Sequence, residues 1–308
     1  MELAANVFNQ VLIMFLLIAV GIFCYRIKLI SKHGNRQLSN FLLSVVTPAL
    51  IVNSYQKPFD AALAQGLLWA FLLAGISHLI GIAAAYLLLR GKPGDPRLPL
   101  ERFAAIYSNC GFMAIPLISA VLGGDGVFYA GAYLTVFNLL SWTQGVFMLS
   151  GERSLKSALK VFTSPTVISV FVGLLLFFTG LPLPGPISSA ISYISDLNTP
   201  LAMIVTGVSI AQMNIFSAFK GWRLYYVSLL RLVVVPGLML AALALIPCDP
   251  AVRMVNLIGT ACPAAASTVL FANRYSLDSQ HASKLIAITT VFSLATIPLL
   301  MGIAGLLF

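Results

Sequence analysis

Charged residues are scarce in this chain. Asp, Glu, Lys and Arg make up 9% of its 308 residues, whereas apolar residues make up 59%. An ordinary soluble domain has about a quarter charged residues, so this composition excludes that class. Cysteine is also rare and lacks the spacing of a zinc site or a disulfide framework; the four residues are Cys24, Cys110, Cys248 and Cys262. We interpret them as small apolar residues and predict neither a metal nor a cofactor.

Motifs of intramembrane enzymes are missing as well. The chain has no H-E-x-x-H zinc motif and no pair of aspartates inside apolar runs. Its serines have no intramembrane base apart from His78, which we interpret as packed, while His33 and His281 fall in predicted loops. We therefore predict that the protein is not an enzyme. No loop is long enough for a signalling domain, which argues against a sensor or receptor.

What the chain has instead is a series of long apolar runs. Runs of about 18 residues or more indicate transmembrane helices, because lipid offers backbone groups no partner outside the helix. The fold class predicted is an all-α polytopic membrane protein with ten spans in the lipid bilayer. The spans are Val7–Tyr25, Leu38–Tyr55, Leu63–Leu89, Phe103–Leu122, Val127–Leu149, Pro165–Thr179, Ile187–Met213, Tyr225–Ile246, Met254–Tyr275 and Ala282–Leu307. The first run lacks a leader cleavage site and is expected to be retained.

Most of the basic residues behind the net charge of +9 lie in alternate loops, on one side of the membrane. Of the 18 Lys and Arg residues, fifteen lie in the connections after spans 1, 3, 5, 7 and 9. Lys57 and Arg253 lie on the opposite side, and Arg231 falls inside span 8. By the positive-inside rule the odd-numbered connections are cytoplasmic, and both termini lie outside the cytoplasm of an inner or plasma membrane. We predict no nucleic-acid partner.

Ten spans with both ends on one side divide into halves of opposite orientation, residues 1–150 and 151–308. Inverted five-helix repeats of this kind are common in secondary transporters. Three pairs of landmarks recur between the halves at offsets of 152, 147 and 155 residues: Thr47-Pro48 with Thr199-Pro200, Asn109-x6-Pro116 with Asn256-x6-Pro263, and Thr135–Leu139 with Thr290–Leu294. The alternative is that threonine and proline are simply frequent in transmembrane helices.

Spans 4 and 9 each combine a proline with small and polar residues. We expect both helices to be broken there, at Tyr107–Pro116 and Gly259–Thr268, because proline removes a helical hydrogen bond. Broken helices present free N–H groups and partial positive charge, which suit a carboxylate. The predicted substrate-binding residues are Asn109, Gly111, Pro116, Asn138, Pro263, Ser267 and Asn53. The alternative is that the prolines only kink packed helices.

Two charges fall well inside the predicted spans, Arg231 in span 8 and Asp196 in span 7. Such charges are costly and normally face a cavity or a partner. One hypothesis is that Arg231 attracts an anion and that Asp196 couples transport to protons. The other is structural: Arg231 binds carbonyl groups or an acid, and Asp196 lies near the membrane surface.

Four segments together resemble the auxin efflux carrier family, the bacterial relatives of the plant PIN-FORMED transporters. They are Asn40–Val52 (NFLLSVVTPALIV), Ser108–Leu117 (SNCGFMAIPL), Arg231–Pro236 (RLVVVP) and Ala261–Tyr275 (ACPAAASTVLFANRY), and the resemblance extends over nearly the whole chain. The short basic connection Ser150–Ser164 is similar to that of bacterial members, whereas plant members have a long hydrophilic loop and often Gln in place of Asn138.

The resemblance implies a fold like that of bile acid/sodium symporters. Spans 4 and 9 would break at Pro116 and Pro263 and cross within a transport domain of spans 3–5 and 8–10. Spans 1, 2, 6 and 7 would form a scaffold, which often dimerises, and the transport domain would move as an elevator. The implied function is a permease or efflux carrier for small organic anions such as malate, malonate or auxin-like acids. The alternatives are an anion channel and a sodium-coupled organic-anion symporter.

Overall fold

The computed structural model describes residues 2–91, 94–151, 162–212 and 221–307, with residues 2–7 described by their backbone alone. Some residues used in the predictions fall outside these ranges. They are most of the Ser150–Ser164 connection, the Met213 end of span 7 and five basic residues of the predicted cytoplasmic connections: Lys92, Arg153, Lys156, Lys160 and Lys220.

The described residues form helices and no strand. We label the helices α1 (Glu2–Arg26), α2 (Lys32–Ser54), α3 (Ala61–Leu88), α4 (Leu98–Ile106), α5 (Cys110–Ser150), α6 (Pro165–Thr179), α7 (Gly185–Ser195), α8 (Asn198–Ala211), α9 (Trp222–Leu245), α10 (Pro250–Ala261), α11 (Ser267–Arg274) and α12 (Ser279–Leu307). Across the described ranges, α1, α2, α3, α5, α7 with α8, α9 and α12 are long and apolar enough to cross a membrane, and α6 is a shorter apolar helix. The prediction of an all-α polytopic membrane protein is confirmed.

Helix α5 is too long for a single crossing. Its 41 residues would extend about 60 Å if straight, twice the thickness of the hydrocarbon core. Gly123 interrupts it with a φ of 63° and a ψ of −153°, a backbone conformation that glycine adopts without a steric penalty. This turn lies where the sequence separates spans 4 and 5.

Wide π turns precede three prolines inside the helices. Leu42–Val46 lies before Pro48, Cys110–Ala114 before Pro116, and Leu230–Val234 before Pro236. Proline has no N–H and clashes with the carbonyl four residues earlier. A π turn shifts the hydrogen bonds to five-residue spacing, and we attribute the continuity of these helices to that shift.

The buried side chains of the helices form two apolar clusters. Helix α1 packs on α8, α2 packs on α6 and α7, and α3 packs on α5 and α10. Tyr107, Ser108 and Asn109 separate α4 from α5. They lie between Arg97, at the end of the bundle where α4 begins, and the Gly123 turn at the other end, so the interruption lies at mid-depth in the bundle.

Charged connections meet at opposite ends of the bundle. Lys57 in the connection after α2 pairs with Asp125 near the Gly123 turn. At the other end Arg97, before α4, lies 3.3 Å from Asp278, before α12, and Arg223 at the start of α9 reaches the same region. The connections after predicted spans 3, 7 and 9 therefore share an end, as alternating helix directions require. That this end faces the cytoplasm stays a prediction.

Helices α1 and α8 approach one another so closely that only glycine fits between them. A Cβ atom at Gly207 would overlap the carbonyl oxygen of Ile18, and one at Gly21 would overlap that of Ile204. Two helices in direct backbone contact form the tight, small-residue interface typical of membrane proteins.

We expect Gly207→Ala to destabilise the purified protein by about 1–3 kcal/mol, the usual result of overpacking. Helix propensity alone would favour alanine by about 1 kcal/mol, so a loss identifies the helix contact. Gly75→Ala is the matched control, because no atom lies within 4 Å of a Cβ built at that helical glycine. Thermal unfolding in detergent measures both variants, and equal melting temperatures would contradict the close contact.

Candidate functional site: the crossing of two interrupted helices

Two helix interruptions face one another across the middle of the bundle. Helix α4 ends at Ile106 and α5 begins at Cys110, while α10 ends at Ala261 and α11 begins at Ser267. Between them, the Asn109 N–H donates to the Pro263 carbonyl (2.7 Å) and the Ala265 N–H donates to the Tyr107 carbonyl (2.9 Å). This antiparallel bridge satisfies backbone groups that lipid could not. We call Tyr107–Asn109 together with Cys262–Ala266 the crossing.

The first break lies at the start of the predicted segment Tyr107–Pro116, and not at Pro116, where the family resemblance places it. Pro116 lies inside helix α5, buried just after the π turn Cys110–Ala114, and the extended residues are Tyr107–Asn109. The π turn lets the helix continue past the proline, so the interruption moves toward the N-terminus. In the second half Pro263 does lie inside the interruption.

The two asparagine–proline motifs lie differently in their helices. Asn109 precedes the first residue of α5, whereas Asn256 lies inside α10, where its amide donates to the Val252 carbonyl at 2.9 Å. The bridge pairs Ser108 with Ala264. The repeat itself stays a prediction.

Arg231 supports the crossing from α9. Its fully buried guanidinium donates to the carbonyls of Ala105 and Ile106 at the end of α4, at 3.0 and 2.8 Å. It also donates to the carbonyls of Cys262, at 3.1 Å, and Thr260 at the end of α10. The carbonyl-bound alternative for Arg231 is therefore the one observed, and one cation holds the negative ends of both interrupted helices.

The positive ends of the following helices are left without side-chain caps. Helix α5 starts after Asn109 and α11 after Ala266, and neither residue's side chain caps the first N–H groups. The first N–H groups of a helix have no intrahelical acceptor. The hydroxyl of Ser267 has no hydrogen-bond partner among the described residues. The crossing thus presents donors, and Ala266 beside them is exposed.

His78 and Tyr133 border the crossing next to Tyr107. The prediction that His78 is packed is confirmed: it is 1% exposed, and its Nδ1 lies 2.7 Å from the Ala74 carbonyl. Its ring centroid lies 5.3 Å from that of Tyr133 and 5.9 Å from that of Tyr107. Its Nε2 has no partner among the described residues. Sequence reasoning missed the tyrosines, since nothing in their local pattern separates them from other aromatic residues in the spans.

Thr289 was missed for a similar reason. It is fully buried on α12, and its hydroxyl accepts the Ala264 N–H at 3.2 Å. Its own hydrogen goes to the Leu285 carbonyl one turn back, at 2.7 Å. The only available signal was its position beside Thr290 in the repeat landmark.

The remaining predicted substrate residues divide into two groups. Gly111 lies in the first turn of α5. The Asn138 amide donates to the Leu134 carbonyl of its own helix at 2.9 Å, and the ring of the neighbouring Phe137 lies 5.9 Å from that of Tyr107. Asn53 is elsewhere: its amide nitrogen lies 3.4 Å from Ser195 Oγ on α7. It is ten residues, or about 15 Å, along α2 from Leu43, the residue that approaches Gly111. The structure therefore does not bring Asn53 to the crossing.

The predicted loop positions of His33 and His281 need correction. His33 lies in the first turn of α2, and His281 lies in the first turn of α12, 3.1 Å from Glu101, which is the fully buried acid among the described residues. Asp196 is exposed at the end of α7, and both hypotheses for it stay predictions. Glu101 and His281 lie beside apolar runs, and polar residues at such positions are typical of loops.

No metal centre forms among the described residues, in which no group of three potential metal-ligating His, Cys, Asp or Glu side chains comes together. Cys110 and Cys262 are buried at the crossing as free thiols, and Cys24 and Cys248 are free and partly exposed.

Interrupted helices buried at mid-depth in an apolar helical bundle define a polytopic membrane transport protein. The chain belongs to the membrane transport protein family, whose model matches residues 6–159 and 152–301. A relative from Methanothermobacter thermautotrophicus, named "Uncharacterized transporter", is 24% identical over 295 residues that cover 94% of this chain and 96% of the relative. A second, from Rhizobium meliloti and named "Putative malonate transporter", is 25% identical over 210 residues, 64% of each chain.

Proposed function

We propose that this transporter is a secondary carrier for small organic anions and that the crossing is its substrate site. The observation that supports this most is the balance of charge there. Two helix C-termini and two helix N-termini meet, and their partial charges cancel, but Arg231 adds a full positive charge on the C-terminal side. The N–H donors at the helix N-termini can therefore attract an anion, because no net negative charge lies beside them.

Asn109 and Gly111 at the start of α5, Ser267 at the start of α11 and Asn138 are the groups we propose to contact the substrate. A carboxylate accepts several hydrogen bonds at once, and uncapped N–H groups beside an amide and a hydroxyl are suited to it. Pro116 and Pro263 act indirectly, since each shapes the backbone that presents these donors.

The substrates we propose are carboxylates such as malate, malonate or auxin-like acids. The name of the Rhizobium meliloti relative supports malonate as the first to test. Malonate carries two negative charges at neutral pH, and helix ends together with a buried arginine favour such an ion.

We also propose ten spans arranged as two inverted repeats, 1–150 and 151–308. The Gly123 turn divides α5, so that α4 with the first part of α5 forms one span and the second part of α5 forms the next; α6 and the interrupted pair α10–α11 supply two further spans. The two family matches meet at residues 152–159, next to the proposed division. In this proposal α1, α2, α6, α7 and α8 are the scaffold, the other helices move as an elevator, and two scaffolds form a dimer. Both termini lie outside the cytoplasm of a cell membrane.

Counterflow in liposomes tests the function. Liposomes that contain the purified protein and are loaded with unlabelled malonate should accumulate labelled malonate transiently. The rate should saturate with the concentration of labelled malonate outside. A channel, the main competitor, would give single-channel currents and no counterflow. Absence of accelerated exchange for malonate, malate and a panel of monocarboxylates would refute the carrier.

A further inference from the structure

A buried carboxylate lies between the crossing and one end of the bundle. Glu101 on α4 is fully buried, and its two oxygens lie 2.6 Å from Arg223 Nε and 3.1 Å from His281 Nε2. Arg223 comes from the start of α9 and His281 from the first turn of α12. A carboxylate removed from water is stable only with such partners. We call these three residues the Glu101 cluster.

The three helices of the Glu101 cluster are also the helices that hold the crossing. On α9, Arg231 lies eight residues after Arg223, and on α12, Thr289 lies eight residues after His281. Thr289 accepts the Ala264 N–H, and Arg231 binds the last carbonyls of α4. Eight helical residues extend about 12 Å. The Glu101 cluster thus lies at one end of a three-helix unit, and the crossing lies at the other end of the same unit.

The Glu101 cluster borders a cavity of about 520 Å³. Its described lining includes three acids and three permanent cations besides His281: Asp95, Glu101, Asp278, Arg97, Arg223 and Lys284. The His281 backbone N–H donates to the Asp278 carboxylate at 2.9 Å and holds the pKa of Asp278 below its usual range. With acids and cations balanced among these residues, the imidazole of His281 is the proton-accepting side chain of the cluster.

We propose that the Glu101 cluster is a proton-binding site that makes the carrier a proton-linked symporter; this inference rests on the proposed function. His281 Nε2 and Arg223 Nε both face the Glu101 carboxylate, so an added proton binds the other ring nitrogen of His281, Nδ1. The imidazolium then faces Glu101 and Asp278, with Arg97, Arg223 and Lys284 opposing it. An added positive charge about 12 Å from the crossing attracts an anion bound there, so proton and anion bind together.

Two measurements on the unmodified protein test this directly. Malonate added to weakly buffered protein at pH 6.5 should cause proton uptake of up to one proton per bound malonate. In liposomes, a pH gradient should accumulate malonate on the alkaline side, up to about tenfold for each unit of gradient.

His281→Gln is the informative variant. Glutamine keeps an amide donor toward Glu101 but does not titrate, so counterflow should continue while gradient-driven accumulation and proton uptake are lost. His33→Gln is the matched control, because His33 is an exposed histidine on α2; it should behave as the unmodified protein does.

The outcomes separate the two proposals. Malonate counterflow that does not respond to a pH gradient, with no proton uptake when malonate binds, would overturn proton coupling. The proposal that the protein is a carrier would stand. The same holds if His281→Gln keeps full gradient-driven accumulation. Absence of exchange for every carboxylate would overturn the carrier and this inference with it.

Discussion

Replacing Arg231 with Leu should abolish transport and lower the stability of the folded protein by about 3–5 kcal/mol, the usual cost of removing one partner from a buried polar network. Four backbone carbonyls at the ends of α4 and α10 would lose their donor in a site that water does not reach. For a protein of this size the loss corresponds to a melting temperature lower by roughly 10 °C. Size-exclusion chromatography after heating in detergent measures it.

Arg231→Lys separates charge from geometry at the same position. Lysine keeps the positive charge but has one compact ammonium group in place of a planar fork, so it cannot donate to both helix ends at once. We expect partial recovery of folding and little recovery of transport. Arg36→Leu, on the exposed surface of α2, is the control for loss of a cation. An Arg231→Leu protein with the melting temperature and malonate exchange of the unmodified chain would contradict the role assigned to Arg231.

Replacing Asn109 with Ala should lower malonate counterflow by roughly tenfold to a hundredfold, the effect of losing one hydrogen bond to a charged group. Its backbone N–H remains bonded to the Pro263 carbonyl, so the fold should be retained. Asn109→Asp tests the electrostatic part, because a nearly isosteric carboxylate would repel an anionic substrate and reduce exchange further.

Asn53→Ala is the matched amide control for Asn109. It removes a contact with Ser195 on α7, a helix-to-helix hydrogen bond worth about 1 kcal/mol. Its counterflow should stay close to that of the unmodified protein. If Asn53→Ala and Asn109→Ala reduce counterflow equally, or if neither does, Asn109 is not a substrate contact.

The helical class and the two interrupted regions could be predicted from sequence because lipid permits few alternatives. Long apolar runs must be helical, and paired proline-rich stretches are the common way to interrupt them. The exact break could not be predicted, since Pro116 is accommodated by a π turn and the chain extends at Tyr107–Asn109 instead. Proline changes the hydrogen bonding of the helix, but neighbouring residues determine where the helix is interrupted.

The candidate site was predicted in part. Asn109 and Pro263 do form the crossing, whereas Asn53 lies on another helix pair, because an asparagine in an apolar run has the same local pattern in either setting. Glu101 and His281 were overlooked for the reverse reason. A charge beside an apolar run looks like a loop residue until its partners, 122 to 180 residues away in the chain, are known.

Protection of a cysteine at position 111 by malonate would test the crossing as the substrate site most directly. A Cβ at Gly111 has only a Leu43 carbon nearby, at 3.9 Å, so Gly111→Cys fits; the background replaces all four native cysteines, because Cys110 and Cys262 are free thiols at the crossing itself. Malonate should slow its reaction with a charged thiol reagent and leave Gly185→Cys, at the exposed start of α7, unchanged. Equal reaction rates with and without saturating malonate, in protein that still exchanges malonate, would contradict the account.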